Sequence, residues 1–197
     1  NNGKFVMSPD GKLVTFSVSS DVNYQYGYII EAGKTDGIST TYQIKMYTQD
    51  DKAVVYNVAS KYSIDGKTAS EGGVNSIQNK LINTDGKTKR QLVKYSLNED
   101  GEISSVDTAD TAAEIAEEKL EKGNTLLCYN DKMKSRVKSG SGIFKNFVLS
   151  SGAAVFVVPG ETEENVSDDD FMYTGRSYFE NDAEYTVSTY DMGANGY

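Results

Sequence analysis

The sequence predicts an all-β protein, mainly antiparallel, built as two small β-barrel or sandwich-like units joined by one α-helix. Three observations carry this expectation. Turn signals recur at Asp10-Gly11, Asp36-Gly37, Asp65-Gly66, Asp85-Gly86 and Asp100-Gly101, several of them flanked by β-branched and aromatic runs; residues that tolerate positive φ between such runs mark hairpins. Within the runs apolar and polar residues alternate, which is the period of half-buried strands. Strong helical character is confined to residues 108–122.

Residues 1–21 read as an N-terminal hairpin or the end of a preceding unit, with Phe5-Val6-Met7 pairing Leu13-Val14-Thr15-Phe16. A first β unit spans 22–109. There, residues 42–48 and 53–59 make a hairpin that turns at Gln49-Asp50-Asp51-Lys52, with Ile44, Met46 and Thr48 on one face and Val54, Tyr56 and Val58 on another. Residues 91–97 and 102–106 make the next hairpin, with Val93, Tyr95 and Leu97 sharing a face. The two hairpins align without a gap, Lys45 on Lys94, Asp51 on Asp100 and Val54 on Ile103. This is either weak internal repetition or the ordinary likeness of hairpins. Between them Val74, Ile77, Leu81 and Ile82 have the spacing of one short helix. From Tyr26 to Val106 the order is thus three strands, a short helix and two strands, the order of an OB-like five-stranded barrel.

Residues 110–123 read as the connecting helix. Thr111-Ala112-Ala113-Glu114 has the capping-box pattern, Ile115 and Leu120 give a narrow apolar edge, and Gly123 ends it. A second β unit follows over 124–197, with candidate strands at 125–129, 133–138, 143–149, 153–158, 171–177 and 185–190. The final Gly193-Ala194-Asn195-Gly196-Tyr197 echoes Tyr26-Gly27-Tyr28, as if a further unit were truncated there. With no initiator Met and no signal peptide at Asn1, the chain reads as a piece of a longer protein.

Composition narrows the chemistry. The chain of 197 residues has no His, no Trp and one Cys. Without histidine, every Ser-His or Cys-His nucleophile scheme is excluded, and nothing else singles out a catalytic centre, so the expectation is a non-enzyme with no cofactor and no metal. Twenty Lys and Arg stand against 29 Asp and Glu, a net charge of −9, which disfavours nucleic acid and anionic membranes as partners. The imbalance is local: residues 1–160 hold 19 acidic and 19 basic side chains, residues 161–197 ten acidic residues and Arg176 alone. No apolar run approaches the ~20 residues that span a bilayer, so no membrane insertion is expected. Cys128, in Leu126-Leu127-Cys128-Tyr129, reads as a packed thiol.

Several segments invite a functional reading. Residues 96–107 hold Gly101 and Asp107 at the sixth and twelfth places of a calcium loop, but Ser96 opens it and strands rather than helices flank it, so a hairpin turn is expected. Ser135-Arg136-Val137-Lys138 matches the Ser-x-x-Lys of acyl-enzymes only on a helix; on a strand Ser135 and Lys138 fall on opposite faces. Gly33-Lys34-Thr35, Gly66-Lys67-Thr68 and Gly86-Lys87-Thr88 lack a phosphate loop's upstream glycine and read as turns. Lys132, Lys134, Arg136 and Lys138 alternate along one strand. Such a stripe contacts an anionic wall polymer or partner domain, is neutralised by the acidic 161–170 stretch, or guards an edge strand. Asp168-Asp169-Asp170 reads as a solvated loop. Tyr24, Tyr26 and Tyr28 alternate as a stacking platform for sugars or as a cross-strand ladder.

Tyr26-Gly27-Tyr28-Ile29-Ile30, then the run from Leu92 to Ile103, then Ala154-Val155-Phe156-Val157-Val158-Pro159, resemble the β-rich repeat segments that accompany S-layer homology modules in Gram-positive bacterial surface proteins. No S-layer homology module itself is visible. The resemblance, over residues 22–197, implies an extracellular, non-catalytic structural or interaction module at the bacterial cell surface, meeting cell-wall polymer, glycan or neighbouring domains of the same protein. A carbohydrate-binding module, or an accessory domain of a surface hydrolase whose catalytic part lies elsewhere, is the alternative.

Overall fold

The computed structural model of the chain describes residues 24–35, 41–69, 73–108, 143–144, 148–149, 151–160, 163 and 165–187, together with the backbone of the strands at 3–7, 13–18, 126–127, 133–136 and 192–193. The protein is mainly β. At the N-terminus β1 (Gly3–Met7) pairs antiparallel with β2 (Leu13–Val18), Phe5 opposite Phe16, as the sequence predicts.

A mixed six-stranded sheet forms the body. β3 (Gln25–Thr35), β4 (Thr41–Thr48) and β5 (Lys52–Ile64) follow one another antiparallel. After β6 (Lys67–Ala69) and α1 (Ile77–Lys80), β7 (Gln91–Leu97) returns antiparallel to β3. Then β8 (Ile103–Asp107) pairs antiparallel with β7 and parallel with β5. Because β4 meets β3 and β5, while β7 and β8 connect β3 back to β5, the pairings close a ring of strands, with β6 attached to β5. Closing so few strands requires them to bend, and irregular register supplies the bends. Register shifts occur between Ile29 and Glu31 in β3, between Val58 and Ser63 in β5, and between Ser96 and Leu97 in β7.

The period-two pattern sorts side chains inside and out. Ile29, Ile44, Met46, Val93, Tyr95 and Ile103 are fully buried, and Ile77 of α1 and its C-terminal cap Leu81 join the same core. Gly27 makes room for it. A Cβ there would stand 3.1 Å from both Met46 Sδ and Tyr95 Cε1. The Tyr95 hydroxyl donates to Gln25 Oε1 at 2.9 Å, and burial pushes its pKa up. Buried Ser96 is satisfied by Ser105 at 2.7 Å and Ser104 at 3.0 Å.

The turns carry the backbone strain where the sequence places Asp and Gly. Asp51 and Asp65 adopt positive φ (56° and 52°), as does Gly101 (77°). Gly101, not Asp100, thus takes the conformation of Asp51, so the gapless alignment of the two hairpins slips at their turns. At the second turn Asn98 Oδ1 accepts the N–H groups of Asp100 (3.1 Å) and Glu102 (2.8 Å), which is the hairpin turn expected in place of a calcium loop. Asp65 joins three elements: its carboxylate accepts Thr108 N–H and hydroxyl, both at 2.8 Å, and pairs with Lys80 of α1 at 3.2 Å.

Two local expectations here need correction. Val74 lies in the turn before Ser76 caps α1 and is 85% exposed, so the helix is shorter than its apolar spacing suggests. Two of the Gly-Lys-Thr segments enter strands rather than turning throughout: Gly33-Lys34-Thr35 continues β3, its Thr35 pairing with Thr41, and Lys67-Thr68 open β6 after the turn at Gly66.

Beyond β8 the described strands form antiparallel pairs. They are β9 (Leu126–Leu127) with β14 (Met192–Gly193), β10 (Met133–Arg136) with β13 (Glu184–Val187), and β11 (Val155–Val157) with β12 (Met172–Thr174). Within the strand expected at 143–149, of which 143–144 and 148–149 are described, Ile143 and Val148 bridge each other antiparallel. After β12 the strand expected to 177 gives way to a 3-10 turn at Arg176–Tyr178. The expected helix at 110–123, Cys128, Lys132 and Lys138 lie outside the described residues. β11 has two apolar faces. Val155 and Val157 join Phe144, Phe179, Tyr185 and Val187, whereas Phe156 joins Ile30, Tyr47 and Phe171.

Replacing Gly27 by valine should lower stability by about 1–3 kcal/mol through overpacking against Met46 and Tyr95. A urea midpoint equal to that of the native chain would contradict the packing described.

Candidate functional site

The three tyrosines of the predicted platform separate. Tyr24 precedes β3 and is 47% exposed. Tyr26 lies opposite Lys94 of β7, and the Lys94 ammonium sits 5.4 Å from the Tyr24 ring centroid and 5.8 Å from that of Tyr26, within cation–π range. Tyr28, opposite Tyr47, instead packs against Phe171 at 6.1 Å. The aromatic surface is therefore a pair bracketing a cation, and its third member belongs to another contact.

That second contact is the most developed polar and aromatic site among the described residues. The outer side of the ring contributes Tyr28 and Ile30 from β3, Lys45 and Tyr47 from β4, and Asp51 from the turn into β5. The β11–β12 pair and its connection contribute Phe156, Val158, Val166, Asp168, Phe171 and Tyr173. Tyr47 and Phe171 stack at 5.4 Å and 24°. Phe156 and Tyr173, facing each other across β11 and β12, lie 5.3 Å apart.

Local chemistry aims the acidic residues. Ser167 and Asp170 form a capping box, with Asp170 Oδ2 accepting Ser167 N–H at 2.7 Å, and this holds Asp168–Asp170 in a 3-10 turn. Asp168 pairs with Lys45 at 2.6 Å. Asp51 Oδ1 accepts the Tyr173 N–H at 2.7 Å and the Tyr47 hydroxyl at 2.9 Å. The hydrogen bond from Tyr173, then that from Tyr47, holds the Asp51 carboxyl below the usual carboxylate range. Burial, with the neighbouring Asp51 carboxylate, pushes the Tyr47 phenol up.

Magnitudes rank these contacts. The Lys45–Asp168 pair leaves its side chains 31% and 52% exposed, and such a pair contributes about 0–1 kcal/mol. Burying a phenylalanine contributes roughly 1.5–3 kcal/mol, and Phe171 is buried. The aromatic contact supplies most of the attraction, and the charges set its register.

Two described residues of the acidic stretch meet the first part of the chain, Asp168 pairing with Lys45 and the Glu163 carbonyl accepting from Arg90 at 3.2 Å. Its expected neutralisation of the basic stripe does not involve Asp168. Lys134 and Arg136 lie in β10 opposite Thr186 and Glu184. Lys45 and Asp51 entered the sequence reading only as hairpin and turn residues, and Tyr47, Phe171 and Tyr173 were not singled out as site residues. The available signal was Ser167-Asp168-Asp169-Asp170, a capping pattern running into the alternating aromatics Phe171 and Tyr173.

Among the described residues no group of three or more Cys, Asp or Glu is placed to hold a metal ion, and no helix is long and apolar enough to cross a membrane. Comparison with protein-family models, curated proteins and solved structures finds no match.

Because the folded Asp51 carboxyl titrates below its unfolded value, its stabilising effect is complete above the ordinary aspartate range and fades as pH falls through the lowered folded value. In NMR titration the Tyr173 amide should shift with that acid transition in the native chain and not in Asp51→Asn, whose amide oxygen keeps the acceptor without the charge. A transition retained in Asp51→Asn would assign it to another carboxylate.

Proposed function

We propose that this chain is a non-catalytic structural or interaction module of an extracellular, S-layer-associated protein of the bacterial cell surface, organised around an OB-like barrel. The barrel reading is supported by the strand pairings: an antiparallel β3–β4–β5 meander, β7 against β3, and β8 antiparallel to β7 and parallel to β5, with α1 between β5 and β7. The observation that carries the functional reading is the seating of β11–β12 on the ring. Tyr28, Lys45, Tyr47, Asp51, Phe171 and Tyr173 join one part of the chain to another, which suits a unit that holds its shape between neighbouring domains. The surface location rests on the resemblance of the sequence to S-layer-associated segments.

A second reading is favoured by one observation: Tyr24 and Tyr26 bracket Lys94 with Tyr24 half exposed, a surface suited to stacking a sugar ring. The basic stripe of Lys132, Lys134, Arg136 and Lys138 is the corresponding candidate for wall polymer.

Binding to a glycan array and to a teichoic-acid-like polymer distinguishes the readings. The structural reading predicts no saturable glycan binding that Tyr24→Ala or Tyr26→Ala removes; saturable binding lost in those variants makes the chain a carbohydrate-binding module. Polymer binding that falls with salt and with Lys134→Glu assigns the stripe to a wall contact, whereas lowered stability without altered binding assigns it to internal compensation.

A further inference from the structure

The face covered by β11–β12 and the segment that covers it are carried on the same chain, joined through residues 108–154. Two strands alone are marginal in water, so β11–β12 depends on apolar faces on both sides. One side is the ring, through Phe156, Val158, Val166, Phe171 and Tyr173. The ring does not depend equally on the segment: its own buried core, from Ile29 to Val106, includes no residue beyond β8. Lifting β11–β12 away uncovers Tyr28, Ile30, Lys45 and Tyr47 and leaves that core intact.

We propose that the β11–β12 segment is an exchangeable clasp, seated on its own ring in an isolated chain and on the ring of a second copy where copies are crowded. Every contact between copies is the one already made within the chain: Asp168 to Lys45, Tyr173 N–H to Asp51, Phe171 on Tyr47. No new complementarity is required. The balance between the two arrangements is then a matter of concentration, since a covalent connection supplies the segment to its own ring at a fixed effective concentration, whereas a second copy supplies it in proportion to the amount of protein. Reciprocal exchange gives a closed two-fold pair, and one-way exchange an open chain of copies. This inference does not depend on the cellular location or on the module being structural.

The 2.6 Å ion pair permits a direct test with the native chain. Equal amounts of ¹⁴N and ¹⁵N protein are unfolded together, refolded at a series of concentrations up to about millimolar, and treated with a carbodiimide, which couples a lysine amine to an adjacent carboxylate. Mass spectrometry of the peptides linked through Lys45 and Asp168 separates links within a chain, which carry one isotope, from links between chains, which include mixed pairs. Exchange predicts single-isotope links in dilute samples and a mixed fraction that rises with concentration. Single-isotope links at every concentration would overturn the exchange, and absence of any Lys45–Asp168 link would overturn the clasp itself.

Discussion

Closure of the sheet through the parallel pairing of β5 with β8 is the constraint on which the remaining structure depends. Once the ring is closed, strand alternation has only two destinations. Ile44 and Met46 go inward and are fully buried, while Lys45 and Tyr47, alternating with them, go outward to the side that β11–β12 and its connection cover. Closure also crowds the interior. Gly27 belongs to this economy of space, because the volume its side chain would occupy is filled by Met46 and Tyr95. The bulge at Ile30 adds one outward apolar residue to β3.

The outer contact shows how weak polar terms and a strong apolar term divide their tasks. Phe171 on Tyr47 and Tyr28 removes aromatic surface from water, and that drive is indifferent to small displacements along the sheet. Lys45 with Asp168, and Asp51 with the Tyr173 N–H, are directional and point-like. Together they select one placement among those that the aromatics alone would accept. Asp51 connects the two levels: its left-handed backbone makes the β4–β5 turn, and its carboxylate receives the incoming strand.

The local parts of this arrangement were legible in the sequence and the long-range parts were not. Residues 42–59 and 91–106 carry both alternation and turn residues, so their hairpins could be read directly. The succession of three strands, a short helix and two strands was legible for the same reason, except for the three-residue β6 that lies between the third strand and the helix. Which distant strands meet was a different matter, because no local pattern marks Val58 as the neighbour of Ile103. Val74 misled because apolar spacing says nothing about where a cap will start a helix. Tyr24, Tyr26 and Tyr28 look equivalent in alternation, and only the arrival of Phe171 distinguishes Tyr28. Asp168 could pair with any of many lysines; its selection of Lys45 follows from the 3-10 turn and the closed ring, neither of which is a property of residues 168–170 alone.

An aromatic contact joins β11–β12 to the outside of the ring, and a double-mutant cycle between Tyr47 and Phe171 measures it. Denaturant unfolding of the native chain, Tyr47→Ala, Phe171→Ala and the double variant should give a coupling energy of about 0.5–1.5 kcal/mol, the value typical of an aromatic pair in contact. Strictly additive effects would place the two rings apart in solution and rule out the seating of β11–β12 on the ring.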